Sequence, residues 1–165
     1  MNNSHFKIRP ATTDDVSAIF DLIKALAAYE KLSHQVVGSP EALQEHLFGS
    51  RIYAEAIVGE WDNKIVSFAL FFANYSTFLT QPGIYLEDLF VLPKYRRQGI
   101  GKGMLSYLGK LAVSRNAGRL EWSVLDWNQD AIAFYQSLGA KVLPDWRICR
   151  LTESALSDLA NTVET

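Results

Sequence analysis

Apolar residues recur along the chain with two different periods, and these periods predict its helices and strands. An apolar side chain returns every three or four positions in residues 16–27 and 100–112, which predicts two amphipathic helices. Two shorter helices are indicated by residues that favour a helix start. One begins after Ser39, with Pro40 in the first helical position, and the other begins after Asn128, which is a favourable N-cap. A weak polar helix is predicted from about Ala155.

Runs of β-branched and aromatic residues predict the strands. These runs cover residues 6–9, 53–60, 65–75, 84–92, 120–125, 141–143 and 146–151. A turn at residues 61–64 predicts a hairpin between two of them, and Gln81-Pro82-Gly83 predicts a loop. The order β-α-α-β-β-β-α-β-α-β-β predicts an α/β fold with a mixed sheet, in a single domain over residues 1–165.

Composition and charge exclude several classes of protein. The net charge of -2 and the lack of a basic tail or stripe argue against a general nucleic-acid binder. The single cysteine, Cys149, excludes an internal disulfide and a multi-cysteine metal site, so no metal is expected. The N-terminus lacks the apolar core of a signal peptide, and no run approaches the ~18 apolar residues of a membrane span. We therefore expect a soluble, cytoplasmic protein.

The stretch 85–104 carries the strongest chemical signal. A strand with two acids leads into a turn with the cations Lys94, Arg96 and Arg97, and Gly99 and Gly101 then open a helix. The first N–H groups of a helix have no partner within the helix, and glycine lets the backbone approach an anion closely. The glycines alone are also compatible with a capping or turn role. Together with the cations, they predict a site for a pyrophosphate.

Glu87 and Asp88 interrupt the apolar strand of this stretch. Consecutive side chains of a strand leave by opposite faces, so at least one carboxylate is expected in a packed or cleft environment. An unpaired buried carboxylate is costly. One interpretation is a structural ion pair or a hydrogen bond to a loop. The other is a proton acceptor or cation-binding group whose pKa is raised by burial.

The loop Arg96-Arg97-Gln98-Gly99-Ile100-Gly101 resembles the acetyl-CoA pyrophosphate loop of the GCN5-related N-acetyltransferase (GNAT) superfamily. The later segment Asn128…Phe134-Tyr135…Gly139 fits the same pattern. One branch is similar along nearly the whole chain: the diamine (spermidine/spermine) N-acetyltransferases and their thialysine-acetylating relatives. Its matching segments are Ile8-Arg9-Pro10-Ala11-Thr12, Leu22-Ile23-Lys24…Tyr29-Glu30, Tyr85-Leu86-Glu87-Asp88, Trp127-Asn128 and Trp146-Arg147. The resemblance implies the GNAT fold, a mixed and mostly antiparallel central sheet flanked by helices, with acetyl-CoA bound where two central strands splay apart.

The resemblance also implies three groups of site residues. Tyr135 would be the general acid for the departing CoA thiolate, and Glu87 would receive the amine proton directly or through water. The acetyl-CoA contacts would be Leu89, Phe90, Val91, Arg96, Arg97, Gln98, Gly99, Ile100, Gly101, Lys102, Asn128, Gln129, Asp130 and Ala131. The contacts to the amine substrate would be Tyr29, Glu30, Glu87, Asp88, Glu121, Trp122, Ser123 and Asp145.

These residues predict an acetyl-CoA-dependent N-acetyltransferase that acts on a primary amine of a small polyamine-like or diamine-like substrate, by direct transfer in a ternary complex. An alkyl amine with a pKa near ~10.4 is almost entirely protonated at neutral pH, so a nearby carboxylate is needed to take its proton. The alternatives are a thialysine, lysine-analogue or other small-amine acetyltransferase, a protein or peptide N-acetyltransferase, and a non-catalytic acyl-CoA-binding module. The resemblance further implies a homodimer.

Overall fold

The computed structural model describes residues 5–162, and the chain divides into two compact units, Met1–Ser123 and Val124–Thr165. The first unit is built on a five-stranded sheet in the order β1-β2-β3-β4-β5. Its strands are β1 (Phe6–Pro10), β2 (Glu55–Trp61), β3 (Lys64–Ser76), β4 (Gln81–Val91) and β5 (Leu120–Trp122). Neighbouring strands are antiparallel, except that β4 and β5 are parallel. The predicted α/β class with a mixed sheet is confirmed.

Two helices, α1 (Val16–Tyr29) and α2 (Pro40–Phe48), cover one face of the sheet, which we call the α1 face. The buried cluster beneath them contains Ile19, Leu22, Leu47, Ala56, Val58, Phe68 and Phe90. Helix α2 begins as predicted, because Ser39 Oγ accepts a hydrogen bond from the Ala42 N–H at 3.2 Å and Pro40 occupies the first helical position. The two buried phenylalanines Phe68 and Phe90 therefore belong to the α1 face.

Helix α3 (Ile100–Ser114) packs on the opposite face, which we call the α3 face. Five of its apolar positions are buried, including Ile100, Met104 and Leu108 at 1% exposure or less, and the predicted position Leu111 is half-buried. The helix lies close to the sheet at Gly59 and Gly103, where an added Cβ would contact Met104 and Phe6 respectively. Both faces of β3 are thus covered, which fits its largely apolar sequence.

The start of α1 is fixed by an ion network on β1 and β2. Arg9 donates to both carboxylate oxygens of Asp15, at 2.6 and 2.9 Å, and to Glu60 at 2.8 Å. Asp15 also accepts from the backbone N–H of Thr12 at 2.7 Å and forms a capping box with it. These bonds hold the pKa of the buried Asp15 carboxyl at about 2, and the hydrogen bond from Arg9 is the largest cause. The network therefore ties the N-terminus of α1 to the edge of the sheet.

The predicted loop at Gln81-Pro82-Gly83 is wrong, because these residues form the first part of β4. The turn lies earlier, between Ser76 and Gln81, and Thr80 has a positive φ of 53° there. Pro82 is accommodated opposite Tyr75, and its carbonyl accepts from the Gly118 N–H at 2.8 Å. The β3–β4 hairpin is therefore longer than the sequence pattern indicates.

The second unit contains α4 (Gln129–Ser137) and α5 (Glu153–Ala160). Asn128 caps α4 by accepting from the Ala131 N–H at 3.3 Å, and Gly139 follows the helix with a φ of 91°. The strands predicted at residues 141–143 and 146–151 are not formed. A strand requires a neighbour for its N–H and C=O groups, and residues 141–151 pair with no strand in the described part of the chain.

Within residues 5–162, no helix is long and apolar enough to cross a membrane, and no group of three or more metal-ligating side chains is assembled. The single-domain organisation stays a prediction.

Candidate active site

Strands β4 and β5 run side by side over only three residue pairs. Ile84, Tyr85 and Leu86 pair with Leu120, Glu121 and Trp122. Beyond Leu86, β4 continues to Val91 and pairs there with β3 alone among residues 5–162. Backbone groups of a strand point alternately to its two sides, so the outer edge of residues 87–91, which includes Leu89, presents N–H and C=O groups away from the sheet.

A β-bulge lies at the point where the two strands part. Leu70 is opposite Asp88 and Phe71 is opposite Leu86, so Glu87 is an extra residue on β4. A bulge leaves its extra residue outside the ladder and bends the strand. Asp88 shares the α1 face with Phe90, whereas Leu86 faces α3. The bulge thus sets the two adjacent acids Glu87 and Asp88 in different backbone environments.

The carboxylates near the bulge influence one another. The pKa of Asp88 is raised to about 6, first by burial of its carboxyl and then by the negative charges of Glu87 and Glu30. Burial also raises the pKa of Glu30, which caps the C-terminal end of α1. Glu30, Glu87 and Asp88 therefore form an acidic cluster, and negative charge concentrated in this way attracts a cation.

Tyr29, the residue before Glu30, is held by contacts with β4 and with the loop that follows β4. Its ring lies 6.5 Å from the ring of Phe90, and the Arg96 guanidinium stacks over it at 4.5 Å. Arg96 also donates from Nε to the Val91 carbonyl at 2.9 Å and lies 5.4 Å from the Phe90 ring. The predicted substrate residue Tyr29 and the predicted cofactor residue Arg96 are thus in direct contact.

The loop before α3 has the backbone shape expected of an anion site. Gly99 is the N-cap of α3 with a φ of 82°, a left-handed conformation that favours glycine. Arg97, with a φ of 60°, is also left-handed. An added Cβ on Gly99 would meet nothing within 4 Å, so the approach to the helix N-terminus is open there. Gln98, Gly101 and Lys102 complete the predicted loop, and Lys102 places an exposed cation in the first turn.

A polar cluster lies on the α1 face beside β5. The hydroxyls of Tyr85 and Ser123 are 2.7 Å apart. Asn74 donates from Nδ2 to Glu121 Oε2 at 2.8 Å, and Arg119 Nε lies 2.8 Å from the same oxygen. The neighbouring residue Trp122 is paired with Leu86 and belongs to the α3 face.

Two members of this cluster, Asn74 and Arg119, lie outside the sequence motifs, and Tyr85 lies in a matching segment without having been predicted as a site residue. Asn74 gives a signal in retrospect, because it is a polar residue within the long apolar run of β3. Arg119 immediately precedes β5, but only the register of the sheet shows that it shares a face with Glu121. Strand β5 has only three residues, so the alternation of its side chains is too brief to show the shared face of Arg119 and Glu121 from sequence.

The remaining predicted residues belong to the second unit. Asn128 is the N-cap of α4, and Gln129, Asp130 and Ala131 form its first turn. Tyr135 lies toward the end of the same helix, with its ring 5.4 Å from that of Phe134. Asp145 is in an exposed turn. One short helix and its N-cap therefore carry residues 128–131 and the predicted general acid Tyr135.

The sequence and structure are similar to those of known acetyltransferases. Residues 22–140 match the Acetyltransferase (GNAT) family. The chain is 35% identical to the L-ornithine N5-acetyltransferase NATA1 of Arabidopsis thaliana, over 91% of this chain and 86% of that protein. It is also 35% identical to the thialysine N-epsilon-acetyltransferase of Mus musculus, over 93% of this chain and 96% of the relative.

A solved structure, an integron cassette protein from the mobile metagenome of V. cholerae, aligns with a TM-score of 0.79 and 23% identity over 96% of this chain and 99% of the other. At 23% sequence identity, this similarity establishes a common fold and nothing about activity.

Proposed function

The chain is an N-acetyltransferase of the GNAT family, and from that premise we propose that its substrate is a small primary amine that carries a second amino group. Polyamines, diamines and diamino acids such as ornithine or thialysine share this feature. The observation that carries the proposal is the acidic cluster of Glu30, Glu87 and Asp88 at the edge of β4. Its negative charge is suited to a substrate with more than one ammonium group.

The residues of the first unit fit acetyl-CoA. The outer edge of β4 from Leu89 to Val91 has backbone groups free of β5, which suits the amides of a pantetheine arm. The left-handed Gly99, the N-terminus of α3 and the cations Arg97 and Lys102 suit a pyrophosphate. Arg96, Gln98, Ile100 and Gly101 complete this loop, and we assign Asn128, Gln129, Asp130 and Ala131 to the pantetheine arm. When bound, acetyl-CoA supplies the acetyl thioester.

Glu87 and Tyr135 have complementary proton-transfer roles in this proposal. Glu87 takes the proton of the attacking ammonium, directly or through water, because only the neutral amine is a nucleophile. Tyr135 donates its phenolic proton to the leaving sulfur, since a phenol (pKa ~10) and a thiol (~8.5) exchange a proton readily. Glu87 then releases the first proton to solvent. The amine nitrogen replaces sulfur on the acetyl carbon, and the second proton, which the nitrogen loses as it becomes an amide, balances the one that Tyr135 gives to the thiolate.

The other acids hold the second amino group, which remains charged at neutral pH. Asp88 and Glu30 are the two members of the acidic cluster besides Glu87, and Tyr29, which precedes Glu30 in the chain, adds an aromatic face. Four further substrate contacts remain predictions: Glu121, Trp122, Ser123 and Asp145.

A panel of amines tests the proposal through the release of free CoA thiol. Diamines, polyamines, lysine analogues and a lysine-containing peptide are compared at equal concentration. We expect turnover with small molecules that carry two amino groups and little with the peptide. Turnover confined to the peptide supports the protein N-acetyltransferase alternative. The same panel combined with calorimetry detects a non-catalytic acyl-CoA-binding module, which binds CoA without turnover of any amine.

The role of Tyr135 is tested by Tyr135→Phe. Removal of the hydroxyl should lower kcat by about 10²-fold to 10⁴-fold, the range of a single general acid, and leave the calorimetric Kd for CoA unchanged within about threefold. Tyr95→Phe is the matched control, since Tyr95 lies before the loop and is assigned no proton-transfer role. Unchanged turnover by the Tyr135 variant would remove this residue from the mechanism.

A homodimer is the proposed assembly, and a cytoplasmic location stays a prediction. The dimer is supported by the resemblance to the diamine acetyltransferases and by exposed apolar side chains in the second unit, such as Trp146 and Ile148. Sedimentation at micromolar concentration distinguishes a dimer from the 18.5 kDa monomer.

A further inference from the structure

We propose that Arg96 is a positioning residue for the amine substrate, and that its side chain is not a ligand of the pyrophosphate. Its guanidinium joins the C-terminal end of α1 to the outer edge of β4, and it acts on the substrate through Tyr29. The inference rests on the proposed function, because it concerns the amine site at the acidic cluster. It departs from the acetyl-CoA contact that the family resemblance implies for this side chain, whereas the backbone of residues 96–102 stays the proposed pyrophosphate loop.

The Arg96 guanidinium lies against two aromatic rings that belong to different elements. Its central carbon is 4.5 Å from the centroid of the Tyr29 ring and 5.4 Å from that of Phe90, and the two centroids are 6.5 Å apart. Tyr29 is the last residue of α1, whereas Phe90 is a buried residue of β4 in the core beneath that helix. A cation over an aromatic face is attracted by the ring, and more strongly where water is excluded. The three groups therefore tie the end of the helix to the strand.

A hydrogen bond fixes the guanidinium on the open edge of β4. Arg96 Nε donates to the Val91 carbonyl at 2.9 Å, and Val91 is opposite Ser67 on β3. The next residue, Leu92, donates its N–H to the Val66 carbonyl at 2.9 Å. Val91 and Ser67 are therefore a non-hydrogen-bonded pair of the antiparallel ladder, and the Val91 carbonyl points away from β3. Arg96 thus occupies the side of β4 from which β5 has parted.

The neighbouring arginine has a different placement. Arg97 is exposed and left-handed, with a φ of 60°, whereas Arg96 is half-buried and extended, with a φ of -68°. The Arg96 N–H donates to the Pro93 carbonyl at 3.2 Å, which closes the short turn before it. The two adjacent cations therefore differ in role: Arg97 stays open to solvent and to a pyrophosphate, and Arg96 is directed back over the sheet.

The helix end that Arg96 contacts carries two of the proposed substrate residues. The chain leaves α1 at Lys31, which is left-handed with a φ of 62° and donates its N–H to the Ala28 carbonyl at 3.2 Å. Tyr29 and Glu30 lie side by side immediately before this point. A cation beside the C-terminal end of a helix is also favourable, because the last carbonyls carry partial negative charge. By holding Tyr29, Arg96 therefore also holds Glu30 at the acidic cluster.

Arg96 acts through its shape and not through neutralisation of the acids. None of the ion pairs formed within residues 5–162 involves Arg96. The raised pKa of Asp88 is caused by burial and by the charges of Glu87 and Glu30. A planar guanidinium can stack on a ring and donate from Nε at the same time, which the ammonium group of a lysine cannot do. The negative charge of the cluster therefore remains available for the substrate.

The decisive experiment measures Arg96→Gln with two acetyl donors. Acetyl-CoA contains the pyrophosphate, whereas S-acetylpantetheine has the same thioester and pantetheine arm without it. We expect KM for putrescine and for ornithine to rise about 10-fold with both donors, and the calorimetric Kd for CoA to change by less than about threefold. A rise with acetyl-CoA alone would make Arg96 a pyrophosphate ligand and overturn the assignment. Unchanged KM values with both donors would overturn it as well.

Two further variants separate position from charge. Arg97→Gln is the matched control, because it removes the same group from the next position of the loop; it should raise the Kd for CoA about 10-fold, which is the reverse of the pattern expected for Arg96→Gln. Arg96→Lys keeps the charge but not the plane, and it should raise the amine KM nearly as much as Arg96→Gln. Full recovery by lysine would show that charge alone is sufficient and would contradict the positioning role.

A double-mutant cycle tests whether Arg96 acts through Tyr29 or has a general structural role. Tyr29→Leu removes the ring and should itself raise KM for putrescine. Arg96→Gln added to this variant should then raise KM by less than about threefold more, because the group through which it acts is already absent. Effects of the two substitutions that multiply in full would mean independent roles and overturn the assignment.

Calorimetry keeps the inference separate from the proposed function. If the wild-type protein turns over no amine, the acetyltransfer proposal for small amines fails, and the Kd of putrescine measured in the presence of pantetheine still decides the present one. Weaker binding of putrescine by Arg96→Gln than by the wild type supports it. Equal binding by the two proteins, or binding by neither, contradicts it.

Discussion

Asp88→Asn is expected to stabilise the protein at neutral pH while it weakens its binding of amines. The wild-type carboxyl has a pKa of about 6 in the folded chain against 3.8 for the ordinary group. The folded state therefore holds this proton at pH values where the unfolded chain has lost it. Because the folded-state pKa is raised, stability falls as the pH rises from about 4 to about 6, and the penalty is complete above that value.

The magnitude follows from the shift. A difference of about 2 pKa units at 1.36 kcal/mol per unit corresponds to about 3 kcal/mol near pH 7, and the same linkage gives less than about 1 kcal/mol near pH 4. Asparagine resembles the protonated acid and carries no such penalty. The Tm of the variant should therefore exceed that of the wild type by about 6–12 °C near pH 7, and by a much smaller amount near pH 4.

The assay is thermal unfolding of both proteins between about pH 4 and pH 8, with and without a saturating diamino acid. The ligand should raise the Tm of the wild type more than that of the variant, because its ammonium group relieves the buried charge, and KM for the amine should increase about 10-fold in the variant. Asp158→Asn, which changes an exposed acid on α5, is the control. A Tm difference that is the same at both ends of the pH range would refute the reasoning.

Two further predictions concern the sheet. Asp15→Asn should lower the free energy of unfolding by about 2 kcal/mol near pH 7 in urea titrations, since it leaves Arg9 without its bidentate partner. The difference in unfolding free energy should vanish as the pH falls through about 2, because the Asp15 carboxyl is then protonated in the folded state and no longer stabilises it. Equal urea midpoints for the two proteins at neutral pH would contradict the claim. Gly59→Ala should cost about 1–3 kcal/mol, because its Cβ would collide with Ser67 Oγ. Ser67→Ala in the same chain should recover most of that cost, since the buried hydroxyl has no hydrogen-bond partner within residues 5–162; additive effects of the two substitutions would argue against a direct clash.

Local signals predicted the helices well. The Ser39-Pro40 start, the Asn128 cap and the apolar spacing of residues 100–112 each act within one or two turns, so the sequence carries nearly all of the information. The glycine turn that opens α3 was predicted for the same reason, because a left-handed glycine directly before a helix is a local arrangement, and the binding of a pyrophosphate there stays a prediction.

The features that the sequence did not reveal depend on pairing between distant segments. Pro82 indicates a loop when it is considered alone, but the partner strand places it within β4. The contact of Arg96 with Tyr29 joins residues that are far apart in the chain, and the common face of Asn74 and Glu121 depends on the register of three strands. The period of two is also interrupted at Glu87, where the bulge changes which residues share a face.

That bulge has a consequence for how β4 tolerates insertions and deletions. Leu86 on the α3 face and Phe90 on the α1 face are four positions apart, and in a regular strand an even separation would place them on one face. The extra residue shifts the alternation by one, so these two side chains leave by opposite faces. Removal of Glu87 would regularise the ladder and leave both halves of β4 on their present faces, because Leu86 and Phe90 would then be three positions apart. The extra residue is therefore not needed to match β4 to the two layers of the core, and its effect is to place the side chain at position 87 outside the regular alternation.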